Sequence, residues 1–149
     1  EESKNYIWLP YVVKGMDISV SGILTNLKQK FDSKKYPKED LCYSMQETVF
    51  AMLIETAERA LAHTAKKELL LGGGVACNTR LQEMARIMCE ERGAKLFVPE
   101  NSLLVDNGAM IAFLGEIMFN SGIKIPYNKI ADLDIKPRQR TDEVNILWK

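Results

Sequence analysis

The apolar residues of this chain fall into short runs and stripes whose spacing changes several times, and each change marks an element. Tyr11-Val12-Val13 reads as an edge or buried strand. Through Lys14-Gly15-Met16 it leads to Asp17-Ile18-Ser19-Val20-Ser21-Gly22, where alternation predicts a second short strand with Asp17, Ser19 and Ser21 on one face. From Ile23 the spacing turns helical through Leu24, Leu27 and Phe31, with Ser21 or Gly22 near the cap and Tyr36-Pro37 as the break. Glu39 and Asp40 then supply the charge that a helix N-terminus favours. Leu41, Met45, Val49, Met52, Thr56, Ala60 and Leu61 keep one face apolar and predict the longest helix, with the single histidine, His63, near its end. One histidine with no ligand pattern around it is assigned a structural place, at the C-terminal dipole.

Residues 69–71 are too few for a helix and are bounded by breakers, so a fully buried strand is expected there. The strand stops at Gly72, Gly73 and Gly74 and hands over to a helix start. Such a turn lets backbone approach a ligand closely, ahead of amides that favour nucleotides and other anions; glycine turns also arise for steric reasons alone. Leu81, Met84, Ala85 and Met88 mark the following helical stripe, and Gly93 falls where a left-handed C-cap ends it. Residues 95–98, closed by Pro99, make a second strand, and a strand-helix-strand succession implies parallel neighbours joined by a right-handed crossover. Asp106-Asn107-Gly108 precede residues 109–119, apolar on nearly every face; this predicts a buried helix capped by Asp106, with Gly122 just past its end. Both glycine-marked turns would then follow strands of one parallel sheet, where ligands gather.

Composition narrows the class without naming a chemistry. The chain has 149 residues, 46% of them apolar and 27% charged, enough for one ordinary core. Twenty basic and twenty acidic residues cancel, so no global field marks a nucleic-acid or membrane surface. A local basic patch at Lys136, Arg138 and Arg140 reads first as a solvated terminal segment. Cys42, Cys77 and Cys89 are odd in number and lack CxxC spacing, which argues against a disulfide framework or a zinc knuckle and fits a reducing cytoplasm. The longest apolar stretch, residues 109–119, is interrupted by Glu116 and too short to span a bilayer.

Six ordered segments then carry a resemblance. They are Leu-Pro-Tyr-Val-Val-Lys-Gly-Met-Asp (9–17), Ser-Val-Ser-Gly-Ile-Leu-Thr (19–25), Gly-Gly-Gly-Val-Ala-Cys-Asn-Thr-Arg-Leu (72–81), Cys-Glu-Glu-Arg-Gly-Ala (89–94), Asp-Asn-Gly-Ala-Met-Ile-Ala (106–112) and Arg-Thr-Asp-Glu-Val (140–144). With them the chain resembles the C-terminal half of the tRNA threonylcarbamoyladenosine synthesis family, the O-sialoglycoprotein endopeptidase/TsaD family, in its archaeal and eukaryotic KEOPS-complex form. The resemblance implies an α/β architecture of the actin, Hsp70 and sugar-kinase type, in which two ribonuclease-H-like domains clasp a nucleotide. Residues 1–125 would form most of the second domain and residues 126–149 an extended tail. It further implies that Gly72, Gly73 and Gly74 pass close to an adenylate, that Asn78 hydrogen-bonds the nucleotide, and that Asp106 is a ligand to a divalent metal, iron or zinc. Ser19, Ser21 and Gly22 match a turn facing the same cleft, with no individual role assigned.

The implied reaction is attack on threonylcarbamoyl-AMP by the exocyclic amine of the adenosine following the tRNA anticodon, with AMP leaving. A carboxylate is a suitable hard ligand for a metal that polarises the carbamoyl carbonyl or orients the intermediate. The family draws its other metal ligands from a His-x-x-x-His motif in the N-terminal half, and His63 lies outside any such motif. The chain is therefore expected to be a fragment or one half of a split protein, unable to transfer the group alone. Implied partners are the missing half, a protein kinase-like ATPase subunit and a small dimerising subunit of the KEOPS complex, and tRNA, in the cytoplasm and without a membrane. Two other classes compete: a noncatalytic module that keeps the fold to dock a partner, and a sugar kinase or chaperone ATPase of the same architecture. The second would not be expected to carry the Arg-Thr-Asp-Glu-Val tail.

Overall fold

The computed structural model describes residues 5–140 and 143–148. It has two compact units, Glu1–Leu104 and Val105–Lys149, each described by itself. Thr141 and Asp142 of the terminal motif lie outside the described residues.

In the first unit the chain enters as an extended segment and forms a hairpin of β1 (Val13–Lys14) and β2 (Asp17–Ile18), paired antiparallel. Gly15 opens the two-residue turn at φ +63, a conformation that glycine adopts without a Cβ penalty. The second strand is shorter than its alternation predicts. Ser21 and Gly22 already belong to α1 (Ser21–Asp32), whose N-cap is Val20, because the apolar residues that follow reward a helix over two more exposed strand positions.

The 27-residue helix α2 (Lys38–Thr64) is the spine of this unit. Pro37 precedes it with φ −57 and ψ 143, and Glu39 and Asp40 occupy its first turn, as the dipole favours. At the other end Ala65 takes a left-handed φ of 53, and Lys66 N–H reaches back to the Leu61 carbonyl at 3.1 Å. Two apolar clusters flank the helix. Met52 packs with Leu9 and Ile23, while Leu61 packs with Met88 and Cys89 and is joined by Ile54, Ala57, Leu69 and Leu96.

The predicted apolar stripe of α2 needs one correction. Met45 is exposed, whereas Ser44 and Thr48 are buried. The entering segment explains this: Ile7 N–H donates to Ser44 Oγ at 2.7 Å, Ser44 donates to the Asp40 carbonyl at 2.6 Å, and the Tyr6 hydroxyl meets Thr48 Oγ1 at 2.8 Å. Farther along, Tyr11 donates to Glu55 at 2.5 Å and Arg59 to the Gly15 carbonyl at 2.9 Å. Residues 44, 48, 55 and 59 recur at helical spacing, so one polar row carries the whole entering strand.

β3 (Glu68–Leu70) and β4 (Lys95–Phe97) pair in parallel, with Leu69 opposite Leu96, on either side of α3 (Thr79–Glu91). The parallel arrangement is the expected one. The expected full burial is not: Leu69 and Leu96 face the core, while Leu70 is 67% exposed on the other face. Alternation across a two-stranded sheet buries only one side. α3 buries Leu81, Ala85, Met88 and Cys89 and ends before Gly93, at φ +60. A one-turn helix α4 (Asn101–Leu104) closes the unit.

The second unit contains α5 (Gly108–Asn120), followed by Gly122 at φ +86 and a 3-10 segment Tyr127–Asp132. The helix runs one residue beyond the expected bounds at each end, but no residue of it is buried, and Met110, Ile111, Phe113, Leu114 and Phe119 are exposed. Its apolar character came from composition, which does not itself supply a covering surface. No helix among the described residues is long and apolar enough to cross a membrane.

Candidate functional site

The site is built at the carboxyl end of β3. Leu71 N–H still bonds the Phe97 carbonyl at 3.0 Å, after which Gly72, Gly73 and Gly74 leave the sheet exposed. Gly73 has φ 85 and ψ 163, a region disfavoured for any side chain. A Cβ at any of the three would meet nothing within 4 Å. Packing inside the chain therefore does not demand glycine at 72 and 74, and the space beside them is open to a ligand.

The turn does not pass straight into the helix as expected. A 3-10 segment, Gly74–Cys77, intervenes, and α3 begins only at Thr79. The segment is firmly held. Ala76 is buried, Gln82 Nε2 donates to its carbonyl at 2.7 Å, Ala76 N–H bonds the Gly73 carbonyl at 2.9 Å, and Cys77 Sγ lies 3.9 Å from the Asn101 carbonyl. A braced loop with bare, open glycines is pre-shaped for close contact.

Asn78 is the N-cap of α3. Its Oδ1 accepts from Arg80 N–H at 2.9 Å and Leu81 N–H at 3.3 Å, and its Nδ2 donates to Gln46 Oε1 at 3.2 Å. Beside it Arg80 binds both carboxylate oxygens of Glu47 at 2.8 Å and Glu83 at 2.7 Å. These bonds to Glu47, then Glu83, hold the guanidinium pKa well above its ordinary value. The bonds from Asn78 to Gln46 and from Arg80 to Glu47 clamp the first turn of α3 to α2, while Glu83 belongs to α3 itself. Gln46 and Glu47 lie off the predicted apolar stripe of α2, and nothing in the sequence separates them from an ordinary solvated face.

Asp106 belongs to the second unit, exposed in the link between α4 and α5. The expectation that it caps α5 is corrected: Asn107 is the N-cap, and its Oδ1 accepts from Met110 N–H at 2.9 Å. The three-residue spacing from 107 to 110 suits an asparagine cap and leaves the Asp106 carboxylate outside that role. Nor does Asp106 directly follow a strand, since α4 stands between it and β4. Among the described residues no three His, Cys, Asp or Glu side chains come together to hold a metal ion, so the residues present do not by themselves form a metal centre. Ser19 and Ser21 approach to 3.3 Å between hydroxyls, near the start of α1.

The family model for TsaD, tRNA N6-adenosine threonylcarbamoyltransferase, matches residues 1–113. The tRNA N6-adenosine threonylcarbamoyltransferase of Thermococcus kodakarensis is 53% identical over 147 residues, 99% of this chain and 44% of that protein. The probable tRNA N6-adenosine threonylcarbamoyltransferase of Drosophila melanogaster is 48% identical over an alignment covering 100% of this chain and 46% of its own length. A probable bifunctional tRNA threonylcarbamoyladenosine biosynthesis protein of Methanosarcina barkeri is 53% identical over 99% of this chain, which is 26% of that protein. The chain thus spans less than half the length of these relatives. With the braced glycine turn and the capping asparagine lying inside the matched stretch, this chain belongs to the tRNA N6-adenosine threonylcarbamoyltransferase, or TsaD, family.

Proposed function

We propose that this chain is the C-terminal part of a tRNA N6-adenosine threonylcarbamoyltransferase and that Gly72, Gly73, Gly74 and Asn78 form its side of the adenylate site. The observation that carries this reading is the open glycine turn, fixed behind by Gln82 and flanked by a side-chain amide, within a stretch matched to the family. Bare glycine backbone allows phosphate or ribose to approach at hydrogen-bond distance. In the proposed reaction the exocyclic nitrogen of adenosine forms a bond to the carbamoyl carbon of threonylcarbamoyl-AMP. The bond from that carbon to the phosphate oxygen breaks, AMP leaves with the electron pair, and the nitrogen loses a proton. The chain's own residues hold and orient the adenylate; none is assigned to proton transfer.

Asp106 is proposed as one ligand of a divalent iron or zinc, the others coming from a His-x-x-x-His motif in the remaining part of the protein. Held there, such an ion would supply Lewis-acid polarisation of a carbonyl or a template for the intermediate. The architecture proposed is the actin-like, ribonuclease-H-like ATPase fold, of which the β3-α3-β4 unit is one part. A cytoplasmic complex with a kinase-like ATPase subunit, a small dimerising subunit and tRNA completes the reading.

The test is a transfer assay on full-length protein with its partners, using labelled threonine, ATP and tRNA, beside metal analysis of the same preparations. Asp106→Ala is expected to lose bound metal and to cut transfer about 100-fold or more. Full metal content and full transfer in that variant overturn the ligand role. If the unaltered protein binds AMP but transfers nothing, the noncatalytic docking module takes the place of the enzyme.

A further inference from the structure

Among the described residues, the side-chain amide of Asn78 keeps one hydrogen-bonding position without a partner. Its oxygen accepts from two backbone N–H groups, which uses both lone pairs and fixes which end of the amide is oxygen. Its nitrogen gives one proton to Gln46 Oε1 at 3.2 Å. A single N–H remains. Gln46 is half-buried on α2, next to Glu47, whose two oxygens hold Arg80 one helical position past Thr79. Two consecutive residues of α2 thus grip the cap of α3 and its first turn.

We propose that Gln46 is a positioning residue for the nucleotide site. The cap bonds leave Asn78 only donors to offer, and Gln46, by accepting one Nδ2 proton, holds the amide so that the remaining N–H is the one an adenylate meets. The complementary ligand atom is an acceptor, a ring nitrogen or a ribose or phosphate oxygen. This inference rests on the proposed contact between Asn78 and the nucleotide. It adds a residue that touches no ligand and acts through the orientation of one that does.

The experiment is calorimetric titration of AMP into full-length protein carrying Gln46→Met, Gln46→Glu, Asn78→Ala, or Gln46→Met with Asn78→Ala. Urea unfolding of each nucleotide-free variant supplies the folding control. Gln46→Met is expected to weaken AMP binding about 3- to 10-fold, the loss of one positioned hydrogen bond. Gln46→Glu keeps an acceptor and should restore affinity to within about twofold of the unaltered protein. In the Asn78→Ala background Gln46→Met should have no further effect, since the residue it positions is gone. The positioning role is overturned if Gln46→Met leaves affinity unchanged, or weakens it equally with and without Asn78. An affinity unmoved by Asn78→Ala alone goes further back: it removes the contact between Asn78 and the nucleotide, and the role of Gln46 with it.

Discussion

Two side chains report their surroundings through titration. Burial, and then the hydrogen bond to Glu55, push the Tyr11 phenol from its ordinary 10.0 up to about 12. A raised folded value means that the protonated phenol is the stabilising form. Its contribution is complete below about pH 10, where the unfolded chain also keeps the proton, and fades as pH rises toward 12. Urea midpoints measured from pH 8 to 12 should therefore fall less steeply in Tyr11→Phe than in the unaltered protein. Parallel curves would remove the link. Cys89, buried against Leu61 and Met88, has its thiol pKa raised by desolvation, while Cys42 is exposed. Iodoacetamide requires the thiolate, so mass spectrometry should find Cys42 labelled first and Cys89 only after unfolding. Labelling of both at one rate in native conditions would contradict the burial.

Single helices carry their own predictions. Ala65 ends α2 in a left-handed conformation that costs an L-residue about 1 kcal/mol and glycine almost nothing. Ala65→Gly should raise the unfolding free energy by up to about 1 kcal/mol; a loss would show that the alanine methyl matters more than its backbone. Ser44→Ala should cost about 1 to 3 kcal/mol, because it leaves the Ile7 N–H without its acceptor in a partly buried place. Denaturant melts measure both.

Much of the element order was legible because periodicity, breakers and glycine caps agree with one another: α2, α3, α5, Gly93 and Gly122 stand where the pattern puts them. What failed were judgements of who covers whom. Ser44 and Thr48 are polar by type and buried by partner, and that partner lies 37 residues away in sequence for Ser44 and Ile7. The extra apolar residues of α5 suggested a core that its own composition does not create. The glycine turn was readable from a strand-turn-helix succession and Asn78 came with the family resemblance, but the Gln46 and Glu47 contacts that hold Asn78 and Arg80 depend on how α2 and α3 cross.

At the scale of the whole molecule, stability should be uneven. The two apolar clusters lie along α2, and α5 buries nothing. Amide hydrogen exchange on the 149-residue chain should be slowest in the middle of α2 and in α3, and much faster in α5. Equal protection in α3 and α5 would contradict the packing described. The chain spans less than half the length of the relatives compared.

α2 also works as a shared axle. Ser44 holds the entering strand and Gln46 holds the cap of α3, only two positions apart on the same rod. A substitution that tilts α2 in this one turn would therefore disturb both residues 5–11 and the amide of Asn78.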